Sequence, residues 1–302
     1  MKRRRFARLG VRASALKKGN EVKKKLFALC QYPLPHHLLS RMMGLATHAR
    51  QPAVKNFFIR QFIRCYRVDM SEALATNPLN YEHFNQFFTR AINSRTFPIA
   101  ENQIIAPADG AISQIGSLSE GLLLQAKGKS FSVGSLLADE ELAKIYTNGR
   151  YATIYLSPRD YHRVHMPLGG TLISMRHIPG RLFSVNPTTT ATVPNLFARN
   201  ERVVALFETP AGPMALILVG AIFVASIETV WHGVVTPPTV SQIRTWDYRD
   251  DPQTFARGAE MGRFNMGSTV IVLLPANRTH WSAALGAGSA VRMGQILGEV
   301  DP

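Results

Sequence analysis

Cysteine is scarce: Cys30 and Cys65 are the only two in 302 residues. They share no metal or redox spacing, which excludes a disulfide scaffold or a zinc module, and their apolar flanks predict buried, reduced thiols. Long apolar runs are missing too. The longest, Met214 to Ile227, falls short of the roughly 20 residues a membrane-spanning helix needs and reads as a buried strand pair, so the chain is not expected to cross a membrane. No glycine-rich phosphate loop follows a strand and no fixed-period repeat is visible. Acidic residues are almost absent from the first fifth. Residues 1–67 hold 17 Lys and Arg against the single acid Glu21, whereas the remainder holds 18 bases and 19 acids. The formal net charge of +15 is therefore an N-terminal property. A nucleic-acid enzyme would carry bases around its site as well, so no nucleic acid is expected. A basic end on a neutral body suits an anionic membrane surface, where each base contributes about 1 kcal/mol. Arg3-Arg4-Arg5-Phe6 has the look of a twin-arginine export signal. Val11 to Lys25 then holds six bases and no apolar stretch, which rejects export. A mitochondrial transit peptide is the minor alternative.

What is present is an ordinary globular composition, 46% apolar and 18% charged. Residues 1–25 read as a flexible basic tail and 26–97 as a helical membrane-docking region, broken at Pro33, Pro35 and Pro52. At about 100° per residue, Val54, Phe58, Ile59, Phe62, Ile63 and Tyr66 share an apolar arc, with Arg60, Arg64 and Arg67 opposite. Met70 to Asn93 reads as a further helical segment docked by Phe84, Phe87 and Phe88. From 98 to 302 short apolar stretches alternate with turn signals, a β-rich pattern. Strands are expected at Ala111–Ile115, Tyr151–Leu156, Arg202–Phe207, Ala215–Ile227 and Thr269–Leu274. Helix is expected only around Val133–Tyr146, and tight hairpins between Gly286 and Gly298. The fold class is α+β: a helical N-terminal region followed by a β-rich core of sandwich or barrel type.

Three features could carry chemistry. Asp109 lies in Ala106-Pro107-Ala108-Asp109-Gly110, which by itself reads as a plain turn aspartate. His162 and His165 are three apart, which in an extended segment faces them opposite ways and argues against a shared metal. Separate acid–base duties are the alternative. Gly267-Ser268-Thr269 opens a β-branched run, placing a hydroxyl beside an uncrowded carbonyl. Asp109, His165 and Ser268 are the parts of a charge-relay triad. Val270 stands where a nucleophile elbow needs glycine, which excludes an α/β-hydrolase.

These motifs, with Tyr161-His162-Arg163-Val164-His165-Met166-Pro167, Leu182-Phe183-Ser184-Val185-Asn186, Asn195-Leu196-Phe197-Ala198-Arg199-Asn200-Glu201-Arg202, Val219-Gly220-Ala221, Val230-Trp231-His232-Gly233 and Met261-Gly262-Arg263-Phe264, resemble phosphatidylserine decarboxylases of the bacterial membrane-associated branch. The resemblance runs from about residue 22 to the end. It departs at Met266, where leucine is usual, at Pro187, where many members have histidine, and at Arg95, displaced from an Arg-Pro pair.

The resemblance implies a self-processing enzyme. His165, oriented by Asp109, would deprotonate Ser268, which attacks the Gly267 carbonyl. An N-to-O acyl shift, β-elimination and hydrolysis would leave a covalent pyruvoyl group in place of Ser268, a β chain of residues 1–267 and an α chain of 268–302. That group would form a Schiff base with phosphatidylserine and act as electron sink, with neither metal nor pyridoxal phosphate, giving phosphatidylethanolamine and CO2. His162 is implied in decarboxylation or proton return, and Phe183, Leu182 and Met166 are candidates for an apolar wall. Implied partners are phosphatidylserine, an anionic membrane and the chain's own two fragments, with a higher oligomer left open. The implied location is the cytoplasmic face of the cell membrane, or the mitochondrial inner membrane. Two alternatives stay open: a pyruvoyl decarboxylase of another amino acid or amino-acid-headed lipid, and a non-catalytic membrane-bound relative.

Overall fold

The computed structural model describes residues 26–97, 100, 102–126, 128–222, 226–236, 242–265 and 268–301. The expected basic tail and the cleavage-site residue Gly267 lie outside the described residues. The run Ser268–Leu274 explains the architecture. Every residue in it is buried, and alternate side chains face opposite ways along a strand. Val270, Val272 and Leu274 enter one core cluster, while Ile271 and Leu273 enter another. A strand apolar on both faces must lie inside a covered sheet. It is central in a nine-stranded antiparallel sheet, between Arg150–Leu156 and Gly212–Val219. Beyond these lie Gly110–Ser117 and Ala290–Val291 on one side, and on the other Arg202–Thr209, then Gly170–Ile178, with which both Arg244–Asp247 and Gln253–Phe255 pair.

A four-stranded sheet in the order Gly233–Val234, Ile227–Thr229, Glu260–Phe264, Arg163–His165 contributes to the same core as Val270, through Ile227, Val164, Met261 and Phe264. The fold is α+β, as expected, with N-terminal helices before a β-rich core and no closed barrel among the described strands. No described helix is long and apolar enough to cross a membrane.

The helices differ from the sequence expectation in detail. His36–Thr47 and Pro52–Tyr66 form, and on the second Ile59 is fully buried while Arg60, Arg64 and Arg67 are exposed. Met70 to Asn93 is helical only at Pro78–Asn80 and Phe84–Phe88. Asn77 caps the first of these, and His83 accepts from the Gln86 N–H to start the second, so capping chemistry cuts the segment into turns. Phe84, Phe87 and Phe88 do dock it, packing with Ile59 and Phe62.

Pro187–Thr192 and Leu196–Arg199 are additional helices; the first begins with Asn186 accepting from the Thr189 N–H and proline in the first turn. Met214 to Ile227 is not a pair within one sheet, because Gly212–Val219 and Ile227–Thr229 belong to different sheets. Ala290–Val291 and Ile296–Val300 likewise part company, the second pairing with Gln103–Ile105 and Thr279–Trp281. Cys30 and Cys65 are free but exposed, contrary to the expected burial, because each lies on the outer side of its helical turn.

Candidate active site

Register brings the three sequence features to one end of the sheet. Tyr155 pairs with Ala111 on one side and with Thr269 on the other. The Asp109 turn and Ser268 therefore sit about two interstrand spacings apart, roughly 10 Å. Gly110 is required for this approach, since a Cβ there would stand 2.2 Å from the Tyr155 carbonyl oxygen. The His165 N–H donates to the Pro107 carbonyl at 2.8 Å, which ties the histidine segment to the same turn. By strand alternation Ser268 shares its face with Val270, whose cluster also contains Ala108, Val164 and Met166.

Asp109 is no free turn residue. Its carboxylate takes a two-pronged contact from Arg95, at 2.5 and 2.9 Å, and a 2.8 Å bond from the Met293 N–H. Arg95 also reaches Glu72 at 2.8 Å, and Arg292 contacts the same glutamate. The displaced arginine is thus the clamp on Asp109, and neither it nor Met293 was identified from sequence. The odd placement of Arg95 before Pro98 was the available signal.

The histidines are locked in one tautomer. A carbonyl oxygen can only accept, so the 2.8 Å contacts of His162 Nδ1 with Asp160 O and of His165 Nδ1 with Gly258 O place the proton on Nδ1 in both. Their Nε2 atoms are then acceptors. His165 Nε2 accepts from the Tyr161 hydroxyl at 2.9 Å, whereas His162 Nε2 is buried with no partner among the described residues. His162 is completely buried, and the Phe88 ring centroid lies 4.1 Å from its own. Burial pushes its pKa down to about 3, against an opposing pull from the Asp160 carbonyl. Burial also lowers His165, opposed by the Gly258 bond, and pushes Tyr161 up to about 12.

Ser268 is 0% exposed and its Oγ has no partner among the described residues. An orphaned hydroxyl in an apolar layer is costly, about 1–3 kcal/mol, and marks a group kept for another purpose. No described hydrogen bond joins Asp109 to His165 or His165 to Ser268; each has the partners given above. Met166 lies in the core on the Ser268 face, but Phe183 lies in the cluster on the opposite face, packed on Tyr32 and His36. Phe88, not identified for this role from sequence, covers His162 instead. Among the described residues no group of three or more His, Cys, Asp or Glu could hold a metal ion.

One cavity reaches Asp109, and a second lies at Asn265, just before the Ser268 strand. The first, of about 550 Å³, is lined by Asp109, Arg95, Tyr155, Asp160, Tyr161, Arg90 and Arg159. The other, about 770 Å³, lies between the His36–Thr47 helix (Ser40, Arg41, Leu45, His48) and a floor of Asn85, Ser226 and Asn265. The same helix exposes Leu38, Met42 and Leu45, and Val234 is exposed among the residues lining that cavity.

Comparison with known proteins gives a consistent result. The sequence model of the phosphatidylserine decarboxylase family matches residues 84–299, and a second, described as PSD, matches residues 26–67. A protein of Methylococcus capsulatus named phosphatidylserine decarboxylase proenzyme is 55% identical over 277 residues, covering 91% of this chain and 96% of its own. Proteins of the same name from Ectopseudomonas mendocina and Azotobacter vinelandii are 55% and 54% identical, each covering 92% of this chain and 99% of its own.

Proposed function

The chain belongs to the phosphatidylserine decarboxylase family and is a decarboxylase, and from that premise we propose that it makes its own pyruvoyl group by cleaving Gly267–Ser268 and uses it to convert phosphatidylserine to phosphatidylethanolamine. The observation that carries the reading is the fully buried, orphaned Ser268 hydroxyl at the head of the central strand. Relatives named proenzymes accord with a chain made as a precursor. A serine-derived carbonyl group fits at this position, because an unpartnered hydroxyl in a dry layer is the atom that such processing consumes.

In self-cleavage Ser268 Oγ adds to the Gly267 carbonyl and His165 takes the serine proton. The neutral tautomer of His165 is the form a base needs. Its Nε2 becomes available once the Tyr161 hydroxyl turns aside. Asp109, fixed by Arg95 and Met293, supplies negative charge beside the histidine's turn as an imidazolium forms. The chain would part into a β chain of 1–267 and an α chain of 268–302.

The pyruvoyl group, once made, supplies an electron-accepting carbonyl. With its proton on Nδ1, His162 Nε2 carries none, so it enters by accepting one, with the substrate's ammonium as the donor at hand, and returns it to the carbon that loses CO2. Phe88 and the surrounding apolar residues favour neutral CO2 over a carboxylate. The head group would reach Ser268 from the cavity floored by Asn265, three positions earlier in sequence.

Leu38, Met42 and Leu45 are 58%, 60% and 79% exposed at i, i+4 and i+7 spacing, an apolar stripe with Arg41 beside it. Such a stripe suits an interfacial helix and supports a lipid over a soluble amino acid; the location we propose with it is peripheral, on the cytoplasmic face of the cell membrane. The test is mass spectrometry of the purified protein. A fragment of residues 268–302 with a ketone at its N-terminus is expected, together with an uncleaved, inactive Ser268→Ala chain. An intact wild-type chain, or cleavage of Ser268→Ala, would overturn the reading.

A further inference from the structure

A buried polar chain connects the segment before Ser268 to the helical layer. Asn265, 3% exposed, follows the strand Glu260–Phe264. Its backbone N–H donates to the Ser226 carbonyl at 2.9 Å, and its side-chain amide donates to the Ser226 hydroxyl. Its Oδ1 accepts from Asn85 Nδ2 at 3.0 Å. Asn85 is 7% exposed and lies on the Phe84–Phe88 helix, the same helix whose Phe88 covers His162. Three buried polar side chains thus meet from three separate stretches of the chain.

Apolar residues would fill this space without the cost of burying amides. What hydrogen bonds add is direction: they fix where the chain leaves the Glu260–Phe264 strand, two residues before the Gly267–Ser268 bond. Attack needs the reacting atoms about 3–3.5 Å apart and aligned, and a displacement of 1 Å can cost about 100-fold in rate. Ser268 itself is fixed by its ladder to Leu156. The approach of the Gly267 carbonyl therefore depends on the residues preceding it.

We propose that Asn265, held by Asn85 and Ser226, is a positioning residue for self-cleavage, and that the aromatic helix of the N-terminal layer is part of the self-cleaving unit. The proposal rests on the reading that the chain cleaves at Gly267–Ser268. In the step concerned, the Ser268 Oγ–C bond forms as the Gly267 C–N bond breaks. The hydroxyl proton ends on the freed amine, so an ester replaces an amide with no other reactant.

The test follows conversion of freshly synthesised full-length precursor into its two fragments on denaturing gels, beside the melting temperature of each variant. Asn265→Leu is expected to slow cleavage roughly 10- to 100-fold. Asn85→Leu should slow it similarly, and the double variant should be no slower than the slower single, because the two act as one unit. Hydroxylamine, which cuts the ester as it forms, should not restore the rate, since ester formation is the impaired step.

Wild-type rates in folded Asn265→Leu, multiplicative slowing in the double variant, or full rescue by hydroxylamine would each overturn the proposal. If Asn265→Leu does not fold, Ser226→Ala removes one hydroxyl only. It should slow cleavage about fivefold, the equivalent of one hydrogen bond, and an unchanged rate there overturns the proposal too. Ser268→Ala reports separately: its cleavage would defeat the underlying reading whatever Asn265 does.

Discussion

Replacing Phe88 by alanine should change the chemistry of His162 before it changes anything else in the site. The Phe88 ring lies 4.1 Å from the imidazole, centroid to centroid, and both side chains are essentially unexposed. Burial holds His162 at about 3, against an ordinary 6.5. At about 1.4 kcal/mol per pKa unit, that is a preference of about 5 kcal/mol for the neutral ring. Removing one wall and admitting water should return a fraction of it. An upward shift of roughly one to two units is expected, equivalent to about 1–3 kcal/mol.

The substitution will also cost about 3–5 kcal/mol of stability, so Phe88→Leu is the companion variant, keeping an apolar wall and a low pKa. Histidine NMR titration, with the His162 signal assigned by its loss in His162→Gln, reads the shift directly. The acid limb of decarboxylation should move upward with it, so activity near pH 5.5 suffers more than activity near pH 7.5. A folded Phe88→Ala chain whose His162 titrates as low as the parent's would refute burial by this ring as the cause.

Gly110→Ala should be severe, because its Cβ would lie 2.2 Å from a backbone oxygen in a central strand pair and neither strand can yield; a fall in melting temperature corresponding to more than about 3 kcal/mol is expected, and a normal melt would contradict the register. Precursor stability should fall with acid, since His162 and His165 have folded pKa values lowered by burial. A group of this kind stabilises fully above its unfolded value near 6.5 and progressively less below it, and His162 alone should remove about 1 kcal/mol between pH 7 and 5.5; urea midpoints across that window check the sign. Met42→Glu with Leu45→Glu should lower retention on anionic vesicles at low salt by about tenfold or more, given roughly 1.5–3 kcal/mol per buried apolar side chain, while unchanged retention would remove this helix from the docking surface.

The sequence made some of this legible for identifiable reasons. The stretch Thr269–Leu274 reads as a strand from its β-branched, apolar run, and it is one; that it is covered on both faces is what the structure adds. The helical N-terminal layer and β-rich body follow from patterning alone. Local periodicity could not say which strands would be neighbours, so Met214–Ile227 read as a buried strand pair and Gly286–Gly298 as tight hairpins although their strands diverge into separate sheets. Asp109 read as an ordinary turn residue because its clamp is non-local: Arg95 is 14 positions away and Met293 is 184. The same limit hid Phe88 over His162 and Asn85 against Asn265, contacts that cross from the helical layer to the body. Asn186-Pro187 was a readable helix start, yet the β-rich texture around it led to helix being expected only around Val133–Tyr146.

The position of Ser268 has a consequence for any break in the chain before it. The Ser268–Leu274 strand has seven register pairs with Arg150–Leu156, and five with Gly212–Val219. Ladder bonds on both sides hold the strand through partners that all precede residue 267. Loss of the Gly267–Ser268 bond would therefore free a chain end without freeing the strand. Arg292 and Met293, also beyond the break, bind Glu72 and Asp109 before it. The proposed self-cleavage needs this combination, since the reactive group at the new terminus would have to stay registered against His162 and His165. An edge strand, paired on one side only, would leave that terminus to fray, and with it the alignment on which proton transfer depends.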